Sequence, residues 1–227
     1  TNRELNPGEE FKVRLTLIKI ELENNKGITD IEGYINYNDD GTVKSISPKH
    51  ENLPPKITKR VVEDFDKTEY PENFVVPYIE TVHDRAVLEV LRGCIRGCRF
   101  CQAGFIYRPF REKTVKTLCK QAKTLCDNTG YDELSLCSLS TSDHSQIENL
   151  LSELTNWTDK EKISLSLPSL RVDNFSKEVL DGISGIRKSG LTFAPEAGTQ
   201  RLRDVINKNV TSEELSNACK IAFEGGY

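Results

Sequence analysis

The sequence contains no methionine and no run of about eighteen consecutive apolar residues. Because such a run is needed for a membrane-spanning helix, the sequence predicts no membrane segment. The first residues also lack the charged and apolar regions of a secretory signal. Because the chain begins at Thr1 and has no methionine, we expect that its start is not native and that it is an internal part of a longer protein.

Neither sign of charge is in large excess, because the sequence has 31 Lys and Arg residues and 35 Asp and Glu residues. This mild acidity argues against a nucleic-acid partner. The 227 residues are enough to bury a core in one large or two small domains. Seven cysteines, an odd number with three close together, indicate a reducing compartment. We therefore expect a cytoplasmic protein without a disulfide framework.

The three clustered cysteines carry most of the functional information. Cys94, Cys98 and Cys101 lie in the segment RGCIRGCRFCQAG at 92–104, with the spacing C-x3-C-x2-C. Structural zinc sites and electron-transfer clusters usually take four ligands. Three thiolates would instead leave one iron of a cubane cluster open to a substrate. The alternatives are a zinc site completed by His83 or His144 and a solvated loop with free thiols.

This spacing, with Phe100 just before the last cysteine, resembles the signature of the radical S-adenosylmethionine (SAM) enzymes. Further segments resemble a bacterial subfamily whose full-length members carry an upstream cobalamin-binding-like domain. These segments are VHDR at 82–85, IYRP at 106–109, SLPSLRVD at 166–173 and LTFAPEAGTQRLR at 191–203. The resemblance runs from about residue 30 to the C-terminus.

The resemblance implies a radical SAM enzyme in which Cys94, Cys98 and Cys101 bind a [4Fe–4S] cluster. Reductive cleavage of SAM at this cluster would give methionine and a 5′-deoxyadenosyl radical, which acts on a substrate that the sequence does not identify. Cobalamin would enter only through an upstream domain, because the sequence lacks the Asp-x-His-x-x-Gly pattern with which many cobalamin domains bind this cofactor.

The same resemblance implies contacts to SAM from residues that follow the predicted strands. Phe100 would lie against the adenine, and Arg171 would pair with the carboxylate. Glu196 would contact the ribose or the amino group. Where the superfamily has a Gly-Gly-Glu-like turn for the amino group, this chain has Ser140, Thr141 and Ser142. The structural alternatives are core packing for Phe100, helix capping by Ser142 or Asp143, and an ion pair of Arg171 with Asp173 or Glu196.

Strand and helix patterns alternate from residue 85, which predicts an α/β fold with a parallel sheet. Because radical SAM barrels generally have six βα units, we expect a partial radical SAM (β/α) barrel of about four units at 85–227, truncated before the fifth strand. Residues 1–84 are predicted to form a small β-hairpin and extended arm. The predicted strands are 11–22, 33–37 and 42–46 in the arm, and 86–91, 133–139, 163–167 and 190–194 in the core. The predicted helices are 112–128, 145–154, 176–183, 199–207 and 211–224, the last opened by a capping box at Thr211.

The remaining cysteines and histidines are expected to be structural. Cys119, Cys126, Cys137 and Cys219 are interpreted as buried apolar thiols. His83 and His144 could act as acid or base, but a structural role is the default.

The segment around the cysteines is strongly basic. We expect part of it to dock an acidic one-electron reductant such as flavodoxin or ferredoxin. The basic residues are Arg92, Arg96, Arg99, Arg108, Arg111, Lys113, Lys116, Lys120 and Lys123.

Two other functions remain open at this point. One is a non-catalytic iron–sulfur electron-transfer or zinc-binding protein, against which the three-cysteine pattern argues. The other is an RNA-modifying radical SAM methylthiotransferase, which residues 200–208 also resemble. Such enzymes usually add a cluster domain and an RNA-binding module, and the sequence shows neither.

Overall fold

A computed structural model of the chain describes residues 34–55, 61–79 and 81–227. It divides the chain into two compact units, residues 1–60 and 61–227. The strand predicted at 11–22 lies outside the described residues. The domain boundary that we expect between residues 84 and 85 remains a prediction.

The first unit contains the predicted β-hairpin. Strands β1 (Ile35–Tyr37) and β2 (Val43–Ile46) pair antiparallel, with Ile35 opposite Ile46. The turn between them closes through Gly41, whose φ of 81° is a conformation that glycine adopts without strain. Its N–H donates to the carbonyl of Asn38 at 3.0 Å. The NDDG segment therefore forms the turn that the sequence predicts.

The second unit is built on a parallel sheet of three strands, in the order β3, β6, β7. These are β3 (Ala86–Glu89), β6 (Glu133–Cys137) and β7 (Ser164–Ser166). Ala86 lies opposite Leu134, and Leu134 lies opposite Leu165. All three carboxyl ends point the same way, so the loops that follow the strands meet at one edge of the sheet.

Six helices accompany the sheet in the described part of the second unit. Each long helix buries an apolar stripe, as α2 does with Leu118, Ala122, Leu125 and Cys126. The Thr211 side chain and Glu214 form the predicted capping box of the last helix. The helices are α1 (Ala103–Ile106), α2 (Val115–Thr129), α3 (Ile147–Glu161), α4 (Lys177–Ser184), α5 (Gln200–Val205) and α6 (Ser212–Glu224).

The segment predicted as a fourth strand, residues 190–194, forms no β-ladder. Leu191 and Phe193 still pack against the core, and the Phe193 ring meets the Phe175 ring edge-on at 4.9 Å. The alternation of apolar and polar residues thus reflects packing of alternate side chains without pairing to β7. A cleft of about 380 Å³ is lined by Ser166 and Leu167 on one side and by Gly190 and Thr192 on the other.

Candidate functional site

The three clustered cysteines lie on a loop that leaves the carboxyl end of the first parallel strand. The predicted strand 86–91 is interrupted after β3, and a short strand β4 (Leu91–Arg92) pairs antiparallel with β5 (Arg111–Glu112). This two-residue ladder closes the base of the loop. Gly93 follows it with a φ of 90°, and a Cβ there would lie 2.7 Å from the Tyr107 carbonyl oxygen. Only glycine fits at this point.

All three cysteines of this loop are free thiols. Cys98 is buried, whereas Cys94 and Cys101 are half-buried. The backbone N–H of Arg96 donates to the Cys94 sulfur at 3.4 Å. Across the described ranges, no three His, Cys, Asp or Glu side chains are grouped closely enough to hold a metal ion. The donor set, three free thiols on one tethered loop, has the chemistry that a [4Fe–4S] cluster requires.

The far side of the cysteine loop is tied to the end of α5. The Asn207 side-chain amide donates to the Gly97 carbonyl at 2.7 Å, and the Arg99 N–H donates to the Ile206 carbonyl at 2.9 Å. The Arg99 guanidinium adds a bond to the Val205 carbonyl at 2.6 Å. The loop is therefore held at its base by a β-ladder and at its tip by a distant helix.

Arg96 connects the cysteine loop to the loops after β6 and β7. Its guanidinium forms a two-pronged pair with Asp143, in which Nε donates to Oδ2 at 3.0 Å. Its Nη1 donates to Asp173 Oδ2 at 2.9 Å. The sequence pattern places Arg96 only among the basic residues, because no local signal indicates a partner this far along the chain.

The hydroxyl groups predicted to bind the SAM amino group are buried and bonded within the protein. Ser140 donates to Asp143 at 2.7 Å, and Thr141 donates to the Leu136 carbonyl at 3.2 Å. The Ser142 hydroxyl accepts the backbone N–H of Arg171 at 3.0 Å. Residues 141–143 form a single 3₁₀ turn at the carboxyl end of β6. The hydroxyls of these residues therefore stabilise the loop at the carboxyl edge of the sheet through internal hydrogen bonds.

Arg171 lies after β7, beside Asp173. Its Nε and Nη2 donate to the two carboxylate oxygens of Asp173 at 2.9 and 3.0 Å. This is the ion pair that the sequence offered as the structural alternative to a role in binding SAM. Its Nη2 also donates to the Lys208 carbonyl at 3.2 Å.

Glu196 lies on the loop before α5 and reaches the same neighbourhood. Its carboxylate pairs with the Lys208 ammonium group at 3.4 Å. Lys208 thus lies between the two predicted SAM contacts Arg171 and Glu196. The φ of Glu196 is 67°, a left-handed conformation that non-glycine residues seldom adopt.

A buried arginine that the sequence analysis missed organises this loop. The Arg203 side chain is almost fully enclosed, and its guanidinium donates five hydrogen bonds to uncharged acceptors. Its acceptors include the carbonyls of Ala197 and Gly198, both next to Glu196. Arg203 therefore holds the backbone that presents Glu196.

Phe100 does not pack in the core, because 53% of its surface is exposed. Ile95 and Phe105, from the same loop and from α1, are exposed to a similar extent. These side chains give the cysteine loop an apolar outer surface. The contact between the Phe100 ring and the SAM adenine stays a prediction.

Both histidines of interest have local partners. His144 is buried, with Nδ1 accepting the Gln146 N–H at 3.2 Å and Nε2 facing the Lys113 carbonyl at 2.9 Å. Nε2 must then carry the proton, since a carbonyl only accepts. Nδ1 of His83 lies 2.6 Å from Nη2 of Arg85. The geometry of His144 fits a structural role.

The basic residues around the cysteines differ in burial and in ion pairing. Lys113 is buried, and this burial lowers the pKa of its ammonium group. Arg92 pairs with Glu89 at 2.7 Å, and Lys123 pairs with Asp127 and Glu161. The residues of this segment that lie on the surface are Arg99, Arg108, Lys116 and Lys120. Lys113 is therefore not in the part of the segment that could contact a reductant, and the docking of a reductant stays a prediction.

Two of the other cysteines differ in their exposure. Cys126 is buried, and burial is the main cause that raises the pKa of its thiol to about 11. Cys137, the last residue of β6, is exposed, so its interpretation as a buried thiol was wrong. Ser135, two residues earlier on the same face of β6, is buried, so the exposure of Cys137 reflects its position at the end of the strand.

The family model described as the Radical SAM superfamily matches residues 88–227. The chain therefore belongs to the Radical SAM superfamily, and the cofactors that this membership implies are a [4Fe–4S] cluster and SAM. Its fold is the mixed α/β fold of a partial (β/α) barrel, as the sequence predicted. No helix in the described ranges is long and apolar enough to cross a membrane.

Two proteins of Methanocaldococcus jannaschii are related to the chain over most of its length. An uncharacterised protein is 29% identical over 205 residues, which cover 87% of this chain and 40% of the relative. A second protein, named provisionally as a methylthiotransferase, is 24% identical over 201 residues, or 82% of this chain and 44% of the relative. The chain thus spans less than half the length of these two relatives.

Two solved structures of TsrM from Kitasatospora setae, a radical S-adenosylmethionine methyltransferase, share the fold at 14% identity. The structure with cobalamin and a [4Fe–4S] cluster has a TM-score of 0.50 and covers 63% of this chain and 29% of that protein. The structure with tryptophan and the SAM analogue aza-SAM has a TM-score of 0.53, with coverages of 97% and 43%.

Proposed function

We propose that this chain is the cluster- and SAM-binding part of an enzyme that cleaves SAM reductively. The observation that carries the proposal is the set of three free cysteines, C-x3-C-x2-C, on one tethered loop in a chain of the Radical SAM superfamily. When bound, the cluster supplies the electron that splits SAM into methionine and a 5′-deoxyadenosyl radical. The rival roles, electron transfer without turnover and zinc binding, usually use four ligands.

Cys94, Cys98 and Cys101 would hold the cluster as thiolates. Phe100 supplies an exposed ring beside them for the adenine. Arg171 would share its guanidinium between Asp173 and the SAM carboxylate, since one guanidinium carries five N–H donors. Glu196 would bind the ribose or the amino group from the loop that Arg203 fixes.

Ser140, Thr141 and Ser142 would act mainly through their backbone. Their hydroxyls already have partners inside the protein, whereas a carbonyl oxygen that accepts one hydrogen bond keeps a second lone pair. The SAM amino group is a donor and needs such acceptors. Their role would then be to present carbonyl oxygens at the sheet edge.

The enzyme would receive its electron from an acidic reductant such as flavodoxin or ferredoxin. The surface residues Arg99, Lys116 and Lys120 supply positive charge on and near the cysteine loop. Charge steering of this kind weakens as salt screens it. A rate of cluster reduction that falls with rising ionic strength would support this docking, and a rate independent of salt would contradict it.

The relatives favour two candidate reactions for the full-length enzyme. The likeness to TsrM, a methyltransferase whose structure contains cobalamin, favours methyl transfer assisted by cobalamin bound outside this chain. The relative named as a methylthiotransferase favours a second candidate, the transfer of a methylthio group. Incubating the full-length protein with methyl-labelled SAM, sulfide, a reductant and a cell extract as the source of acceptor separates the two, because both products carry the label but only the second contains added sulfur.

The proposal is tested by anaerobic reconstitution with iron and sulfide. We expect about four irons per chain for the unmodified protein. Replacing Cys94, Cys98 or Cys101 by serine should abolish or strongly reduce this uptake. Cys137→Ser is the matched control, because Cys137 is exposed and lies outside the loop. Uptake that survives all three loop substitutions, or zinc bound in place of iron, would contradict the proposal.

A further inference from the structure

One side chain of the cysteine loop reaches the ends of two neighbouring strands. Arg96 lies two residues after Cys94 and two before Cys98, and its guanidinium contacts Asp143 and Asp173. Asp143 follows β6, and Asp173 follows β7. We call these three residues the Arg96 bridge.

The bridge is built around a buried carboxylate. The side chain of Asp143 is 1% exposed and accepts from four donor groups. These are Nε and Nη2 of Arg96, the Ser140 hydroxyl and the Asn174 amide. A carboxylate with four donors is fully satisfied only in its charged form. The site is therefore specific for an aspartate facing an arginine fork.

The ion pairs of the bridge differ from the surface pairs of the same molecule. The Arg96 side chain is 26% exposed, whereas the side chains of Lys123 and Asp127 in α2 are 41% and 50% exposed. Exposed pairs contribute little, because water competes for both charges. Loss of one partner of an enclosed pair is costly, because the other charge remains buried.

The bridge also fixes the backbone of Arg96, whose N–H points at the Cys94 sulfur. The guanidinium holds the side chain and this bond holds the main chain, so both ends of one residue are constrained. Hydrogen bonds to the sulfur ligands help to set the reduction potential of an iron–sulfur cluster. They stabilise the reduced cluster because it carries more negative charge.

We propose that Arg96 is a positioning residue, which holds the Cys94–Cys98 half of the loop against the sheet and keeps an N–H donor on the Cys94 sulfur. This proposal rests on the proposed function, because it assumes that Cys94 and Cys98 bind the cluster. Loss of the Arg96 bridge should loosen the loop in the cluster-free chain. In the loaded protein it should make the cluster harder to reduce.

The loosening is measured on the cluster-free chain as the alkylation rate of Cys98, resolved by peptide mass mapping. Cys98 is buried, so its reaction requires the loop to move. We expect about fivefold or faster labelling in Arg96→Gln and Asp143→Asn, the change that follows from about 1 kcal/mol of easier opening. Lys160→Gln on α3 is the matched control for the lost charge and should label like the unmodified chain. Unchanged Cys98 labelling in both bridge variants would overturn the proposal.

The second measurement is the midpoint potential of the reconstituted cluster. We expect a more negative potential in Arg96→Gln than in the unmodified protein and in Lys160→Gln. An unchanged potential would overturn the part of the proposal that concerns Cys94.

Circular dichroism checks that each variant is folded, and Arg96→Lys replaces Arg96→Gln if the latter is not. Lysine keeps the charge but loses the fork, so it should still speed the labelling of Cys98. An unmodified chain that takes up no cluster contradicts the proposed function, whereas the labelling rates still decide whether the bridge holds the loop.

Discussion

The side-chain amide of Asn207 donates a 2.7 Å hydrogen bond to the carbonyl of Gly97, between two of the clustered cysteines. The two residues are 110 positions apart in the sequence. This bond, with the contacts of Arg99 to residues 205 and 206, makes the end of α5 part of the support for the cysteine loop. The position of the loop therefore depends on the segment that also carries Glu196.

Replacing Asn207 by alanine should destabilise the protein by about 1–2 kcal/mol, because the Gly97 carbonyl loses its partner. Asn209→Ala is a matched control, since both asparagines have a left-handed φ, 56° and 53°. The backbone strain of an alanine is then similar at the two positions. Urea unfolding measures both free energies. Equal losses for the two variants would show that the bond to Gly97 contributes nothing measurable.

Replacing Asp143 by asparagine should destabilise the protein by about 3 kcal/mol or more. Asparagine offers one acceptor oxygen where four donors converge, and its own NH₂ group faces donors. Asp127→Asn is the control, because the pair that Asp127 forms with Lys123 is exposed and should contribute little to stability. Denaturant unfolding gives both values, and similar losses would contradict the special role of the buried carboxylate.

The contribution of Asp143 should also depend on pH. Burial raises the pKa of this carboxyl group, but hydrogen bonds from Arg96 and Ser140 and the charges of Arg96 and Arg171 lower it more, to below its ordinary 3.8. The charged group therefore contributes its full stability above pH 3.8 and loses it as the pH falls through the lower, folded-state pKa.

The test compares the unfolding free energies of the unmodified protein and Asp143→Asn from neutral pH to about pH 3. The gap between the two proteins should be constant above about pH 4 and narrow below it. A gap that stays the same at every pH would mean that the Asp143 charge is not the stabilising feature.

The thiols should differ in their reaction with iodoacetamide, which attacks the thiolate. The Cys126 thiol is buried with its pKa raised to about 11, so it should stay unmodified at neutral pH until the protein unfolds. Cys137 is exposed and should react in the native protein. Peptide mass mapping gives the two rates. Faster labelling of Cys126 than of Cys137 would contradict the packing of α2 described above.

Local patterns predicted much of the fold. The hairpin around Gly41, the capping box at Thr211 and the apolar stripe of α2 each depend on residues close together in sequence, so a single chain reveals them. The prediction of a strand at 190–194 was wrong for a physical reason. The alternating residues of this segment pack against Phe175 and the core, and alternation reports which side chains are buried, not whether the backbone is paired.

The candidate site was predicted in part. The cysteine spacing identified the loop and the superfamily, because it is a local motif. The partners of Arg96, Arg203 and Asn207 could not be read from the sequence, because each contact depends on how separate loops meet at the sheet edge. An arginine in a basic segment has the same local appearance whether it is solvated or paired with a buried aspartate.

The central claim is that Cys94, Cys98 and Cys101 hold a [4Fe–4S] cluster with one iron open to SAM. Electron paramagnetic resonance of the reduced, reconstituted protein, recorded with and without SAM, tests this most directly. We expect a [4Fe–4S] signal that changes when SAM is added and that is lost in Cys94→Ser but kept in Cys137→Ser. A cluster signal that ignores SAM would contradict the claim and favour electron transfer without turnover.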